Sequence, residues 1–172
     1  MDEILDIVNE NDEVVGQELR SKIYNDGLQG NRFIRVANIF VFNDDGLLLL
    51  PKRSQNRRLY PNCYDFSCGE HVLSKESYDN AAERGVKEEL GLEDKEIEFL
   101  GKLGQKDGVS GFMQIYKIKS NQEKYEYDKD GIQKLKWFKI STIIEMIKKE
   151  PNKFKGDLLP VLKWYLSKGK EE

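Results

Sequence analysis

The chain has 172 residues, 34% of them charged, yet its net charge is only −3 with both signs interspersed. Such a length suits one domain with one sizeable core, and the charge balance carries no footprint of nucleic acid. The longest apolar runs, 39–42 and 47–50, are far too short to span a bilayer, and the first residues lack the basic start of a signal peptide, so a cytoplasmic protein without a membrane segment is expected.

In chain order, residues 4–8 and 13–16 flank Asn9-Glu10-Asn11-Asp12, which predicts a short hairpin. Ser21 can cap a brief helical turn ending near Gly27. β-branched and aromatic residues dominate 33–43, Asp44-Asp45-Gly46 supplies turn chemistry, and 47–50 returns, so a buried hairpin is expected there. From Ser77 to Leu90 the apolar residues Tyr78, Ala81, Ala82, Val86 and Leu90 recur at helical spacing, with Ser77 as N-cap and Gly91 just past the end. Strands are expected at about 97–105, 112–118 and 135–138, separated by a polar loop over 120–130. Ser141 then caps a helix to about Glu150, and Asp157 opens a last one through Lys168 in which Pro160 must fall in the first turn. Strands, one central helix and helices at the end imply an α/β fold, a mixed sheet covered by helices on both faces. Cys63, Cys68 and a lone His71 support neither a disulfide framework nor a zinc site.

The segment 69–92 carries most of the functional information. Glu76, Arg84, Val86, Glu88, Glu89, Gly91 and Leu92 fall at the offsets of G-x5-E-x7-R-E-U-x-E-E-x-G-U, where U is aliphatic, and so the stretch resembles a Nudix box. Two positions depart from it: Glu70 stands where the first glycine belongs, and Gly85 where the first glutamate of the R-E-U-x-E-E run belongs. The resemblance implies the Nudix fold, an α/β/α sandwich occupying 1–172 as a single domain, with the N-terminal hairpin and turn of 1–30 included. It also implies a magnesium or manganese cofactor and a small-molecule diphosphate substrate.

Hydrolysis of a diphosphate needs a metal to neutralise phosphate charge and acidify a bound water, and hard cations take oxygen ligands. On the helix, residues four apart share a face, so Gly85 neighbours Glu89 while Glu88 shares a face with Arg84. The implied catalytic set is therefore Glu88, Glu89, Arg84 and Glu76, with Glu89, Glu88 and the displaced Glu70 as metal ligands and Arg84 orienting the glutamates. Gly85 also costs about 1 kcal/mol relative to alanine in a helix interior. Asp130 is a second candidate for a replacement carboxylate.

Beyond the box, Arg20-Ser21, 41–46, 48–54, 59–62, 67–72 and 76–78 resemble the isopentenyl-diphosphate-isomerase-like branch of Nudix proteins. This resemblance implies that Arg53, Arg57 and Arg20 grip a diphosphate, work to which arginine forks are suited. The isomerase cysteine position is Gly69, with Cys68 one residue early and so on the opposite face of a strand. Its histidine positions become Tyr24 and Ile34, and its downstream glutamate becomes Gly131. Three readings follow: a metal-dependent Nudix hydrolase of a diphosphate, in a nucleotide or related compound; a Nudix-fold binding module with little turnover, which Gly85→Glu would awaken; and, least favoured, an isomerase. Trp164-Tyr165-Leu166 is either core or an association surface, and the oligomeric state is left open.

Overall fold

In the computed structural model, which describes residues 2–169, the N-terminal hairpin is β1 (Ile4–Val8) against β2 (Val14–Leu19). Asn9 makes its turn by accepting the backbone N–H of Asn11 and Glu13 on Oδ1, an Asx turn of the expected kind. β2 runs past the expected end at residue 16 and leads directly into α1 (Arg20–Asp26). Ser21 does not cap that helix. It lies inside the first turn and donates its hydroxyl to Asp2. Met1 and residues 170–172, which the expected domain includes, lie outside the described residues.

The main sheet has the order β6-β7-β3-β4-β8, built from β3 (Arg35–Phe42), β4 (Leu48–Arg53), β6 (Glu98–Leu103), β7 (Phe112–Lys119) and β8 (Ile132–Phe138). β3 runs parallel to β7 and antiparallel to β4, giving the mixed sheet expected. A short strand, β5 (Cys68–His71), also pairs with β3, in the register Val36 to His71, Ala37 to Glu70, Asn38 to Gly69 and Ile39 to Cys68. One edge of β3 is thus shared: Phe42 pairs with Leu48 of β4, and 36–39 pair with β5. Ser67 closes the junction, its buried hydroxyl accepting Val41 N–H and donating to Leu49 O.

Alternation along β3 splits the core into two layers. Ala37, Ile39 and Val41 face α2 (Tyr78–Leu90), where Ala81, Ala82, Val86 and Leu90 are buried. Phe40 and Phe42 face α3 (Ile140–Lys149) and α4 (Leu158–Lys168), which bury Ile143, Leu158 and Val161. Each fully buried aliphatic side chain of this kind contributes about 1.5–3 kcal/mol. Trp164 and Tyr165 pack on the second layer, so the α4 end belongs to the core, while Leu166 is exposed.

Ser77 caps α2 by accepting Asn80 N–H at 3.1 Å, and Gly91 ends it at φ 63°, both as predicted. α3 instead starts at Ile140, with Lys139 at its N-cap and Ser141 inside the helix. Asp157 precedes α4, but its carboxylate is taken by the backbone N–H and hydroxyl of Ser110. Pro160 falls in the first turn of α4, where its missing N–H costs nothing. Among the described residues no helix is long and apolar enough to cross a membrane.

Candidate active site

β5 and α2 are packed so that the two departures from the box motif meet. A Cβ on Gly85 would overlap Glu70 Cγ and stand 3.0 Å from Cys68 Sγ. The side chain of Glu70 therefore runs through the space that a glutamate at position 85 would need, and the missing helix carboxylate is replaced by one arriving from the facing strand. Gly85 is required for that approach, which explains a glycine in the middle of a helix despite its cost.

Arg84 organises this carboxylate. Its Nη1 contacts Glu70 Oε2 at 2.9 Å and Glu88 Oε2 at 3.6 Å, its Nε reaches Glu76 Oε1 at 3.0 Å, and its Nη2 donates to Glu76 Oε2 and to the carbonyl of His71. Glu76 also accepts Leu73 N–H at 2.9 Å, tying the loop before α2 to the same guanidinium. Hydrogen bonds from Arg84 and Leu73 outweigh burial and hold the Glu76 carboxyl below its usual range. Glu70 shifts the other way, because burial outweighs the pull of Arg84.

Glu89 lies beside them without a cationic partner among the described residues. Burial, reinforced by the charge of Glu70, pushes its carboxyl up to about 8. Burial together with Glu89 and Glu70 raises the Cys68 thiol as well. Such a carboxyl is stabilised when a cation completes its surroundings. No three His, Cys, Asp or Glu side chains among the described residues stand ready as a ligand cluster. A magnesium-like ion, however, keeps several waters and needs only one or two carboxylates, and Glu89 with Glu70 or Glu88 meets that requirement in donor type and number.

Glu70, Glu88 and Glu89 line a cavity of about 920 Å³, and Arg20, Arg53 and Arg57 line it too. Arg20 pairs with Glu3 at 2.7 Å, Arg53 with buried Asp65 at 2.9 Å and Arg57 with Asp128 at 2.9 Å. Arg57 Nε is buried without a partner, so its fork has donor capacity to spare for a phosphate oxygen. Glu76 and Arg84 do not line the cavity, and Arg84 touches it only through Glu70 and Glu88.

Position 131 repeats the exchange seen at 85. A Cβ on Gly131 would overlap Asp128 Oδ2 and Arg57 Nη2, so Asp128 carries a carboxylate into the space of the missing one. Asp130 is exposed, spends its N–H on Asp128 Oδ1 and does not line the cavity, whereas Asp128 does.

The isomerase apparatus is absent at its expected positions. Gly69 has no side chain, and Cys68 is buried beneath α2. Tyr24 and Ile34 line the cavity, and the Tyr24 hydroxyl lies 2.6 Å from His71 Nε2. Burial and the nearby charge of Arg20 push the His71 imidazole down to about 3, so the ring is neutral and its outer nitrogen is engaged. Sequence reasoning missed Asp128 and Lys155 in this cavity, and Asp65 buried behind Arg53 and Lys155, since lone polar residues in loops carry no pattern.

The chain is similar to known proteins over most of its length. The family profile described as the NUDIX domain matches residues 32–164. An uncharacterized Nudix hydrolase of Nostoc is 40% identical over 167 residues, covering 95% of each chain. A crystal structure from Deinococcus radiodurans superposes with a TM-score of 0.85 at 34% identity, covering 94% of this chain and 98% of the other. The bovine isopentenyl-diphosphate Delta-isomerase 1 is 31% identical over 107 residues, 56% of this chain and 47% of that enzyme.

Proposed function

The chain belongs to the Nudix hydrolase family, and from that premise we propose that it is a magnesium- or manganese-dependent hydrolase of a diphosphate linkage in a nucleotide or related small molecule. The observation that carries this reading is the exchange of Glu70 for Gly85, which keeps a carboxylate in the space beside Glu89. A bound divalent ion would supply charge neutralisation and an acidified water. Glu89, Glu70 and Glu88 are its proposed ligands.

Arg57 and Arg53, with Arg20 at the start of α1, hold the phosphates against those carboxylates, and their forks set the diphosphate's orientation. Arg84 fixes Glu70 from behind, and Glu76 fixes Arg84 in turn. In the reaction, the oxygen of water bonds to phosphorus, the bridging P–O bond breaks, and the water proton is released. The competing view of a binding module rested on the glycines at 85 and 131. The Glu70 side chain stands in the space of the one and the Arg57–Asp128 pair in that of the other, which favours the hydrolase reading. The free thiols of Cys63 and Cys68 suit a reducing, cytoplasmic compartment, and the whole chain is read as a single domain.

Purified protein assayed with magnesium or manganese against nucleoside and prenyl diphosphates tests the proposal. Hydrolysis that EDTA stops and that Glu89→Gln lowers by orders of magnitude supports it. Metal-independent hydrolysis, or full activity in Glu89→Gln, sinks it.

A further inference from the structure

Lys155 lines the same cavity as Glu70, Glu88 and Glu89, and neither the metal ligands nor the arginine grip account for it. The segment before α4 seats it. Its N–H donates to Tyr64 O at 2.9 Å, and Tyr64 N–H donates to Lys153 O at 2.8 Å, a main-chain clasp that fixes the root of the side chain. The ammonium lies 3.3 Å from Asp65 Oδ1 and 5.7 Å from the centre of the Phe66 ring. Asp65 is 5% exposed, and its Oδ2 is taken by Arg53 at 2.9 Å. One buried carboxylate therefore backs two cations that both line the cavity. Arg20 and Arg57 each have a carboxylate of their own, Glu3 and Asp128, so the uncompensated positive charge falls on the Arg53–Asp65–Lys155 trio.

Position 69 brings the lysine to the open edge of β5. A Cβ there would stand 3.8 Å from Lys155 Nζ, and Gly69 lines the cavity next to Glu70. Val72 N–H donates to Arg35 O, which sets the phase of the β3–β5 ladder. Alternate residues of an antiparallel pair turn their main-chain groups towards and away from the partner strand, so those of Gly69 and His71 point away from β3. His71 agrees, since its carbonyl accepts Arg84 Nη2. The Gly69 N–H is turned outwards in the same way, and no described residue accepts it. An ammonium and a free main-chain N–H thus stand together at the cavity wall.

Resting on the hydrolase reading, we propose that Lys155 is a catalytic residue of the hydrolysis, its ammonium and the neighbouring Gly69 N–H receiving the oxygen that gains charge as the bridging bond breaks. The oxygen of water bonds to phosphorus, the electron pair of the bridging P–O bond passes to the departing phosphate, and the water proton is released to solvent. The departing oxygen therefore needs charge stabilisation and no proton. Donors fixed in advance supply it without reorganisation at the moment of reaction. Asp65 holds the ammonium in place, and because Arg53 shares that carboxylate, Lys155 keeps attraction to spare for the phosphate.

The test is steady-state kinetics of Lys155→Met, Lys155→Gln and Lys155→Arg, with magnesium, on whichever nucleoside or prenyl diphosphate the natural protein turns over fastest. Asp65 keeps Arg53 in every variant, so the fold is expected to survive, and Lys155→Gln serves if Lys155→Met does not fold. Lys155→Met is expected to lower kcat by about a hundredfold, the worth of one fixed donor at a developing oxyanion. KM should move by no more than about threefold, as for an interaction made chiefly in the transition state. Lys155→Arg keeps the charge and should recover about tenfold of the loss. Variants lacking the charge whose kcat stays within about threefold of natural, or whose loss is confined to KM, overturn the proposal and leave the hydrolase reading standing. Lys155→Arg as slow as Lys155→Met overturns it too. Natural protein that hydrolyses none of the diphosphates removes that reading and the proposal with it.

Discussion

Replacing Gly85 with alanine separates two opposed effects. In an ordinary helix interior the change stabilises by about 1 kcal/mol. Here Gly85 is buried, and the new Cβ would overlap Glu70 Cγ and stand 3.1 Å from Glu70 Cβ and 3.0 Å from Cys68 Sγ. Glu70 cannot easily swing aside, because Arg84 holds its carboxylate at 2.9 Å and the strand fixes its root. Overpacking of this kind costs about 1–3 kcal/mol. Gly85→Ala should therefore destabilise the natural chain by up to about 2 kcal/mol once the propensity gain is subtracted. In a Glu70→Gly background the overlap with Glu70 is gone and only the contact with Cys68 Sγ remains, so the same change should be neutral or stabilise by up to about 1 kcal/mol. Urea unfolding of the four proteins gives the cycle, with a coupling of about 1–3 kcal/mol expected. Gly85→Ala that stabilises both backgrounds equally would refute the claim that Glu70 occupies this space. The same logic predicts that Gly85→Glu alone fails to raise activity, whereas Glu70→Gly with Gly85→Glu retains metal-dependent turnover.

Other positions give simpler expectations. Arg57→Ala should raise KM for the diphosphate by about tenfold or more, the worth of a charge-assisted hydrogen bond, with a smaller effect on kcat; an unchanged KM in steady-state kinetics would remove Arg57 from the phosphate grip. Ser77→Ala should cost about 1 kcal/mol in urea unfolding through the lost cap on Asn80 N–H, with turnover intact, since Ser77 is not among the residues lining the cavity.

Local patterns made much of the fold legible. α2 carries its period, its Ser77 cap and its Gly91 terminator within one stretch, and β3 announces itself by composition. β5 has only four residues, and its existence depends on pairing with β3, which no local pattern encodes. Capping failed where tertiary partners competed: the Asp157 carboxylate serves Ser110 and the Ser21 hydroxyl serves Asp2. The same limit governed the site. Read along the chain, Glu70 and Gly85 are two defects in a motif. Packed strand against helix, they are one substitution, because the carboxylate lost from one element is returned from the other. In the loop before β8 the choice between Asp128 and Asp130 rested on a turn in which Asp128 Oδ1 accepts Asp130 N–H, a detail that spacing does not disclose.

The relocated metal site is tested most directly by titrating Mn²⁺ into the natural protein, Glu70→Gln and Glu89→Gln, and counting bound ion by electron paramagnetic resonance. Removing a true ligand carboxylate should weaken binding in each variant by about tenfold or more. Glu70→Gln that binds Mn²⁺ as tightly as the natural chain would contradict the account at its centre.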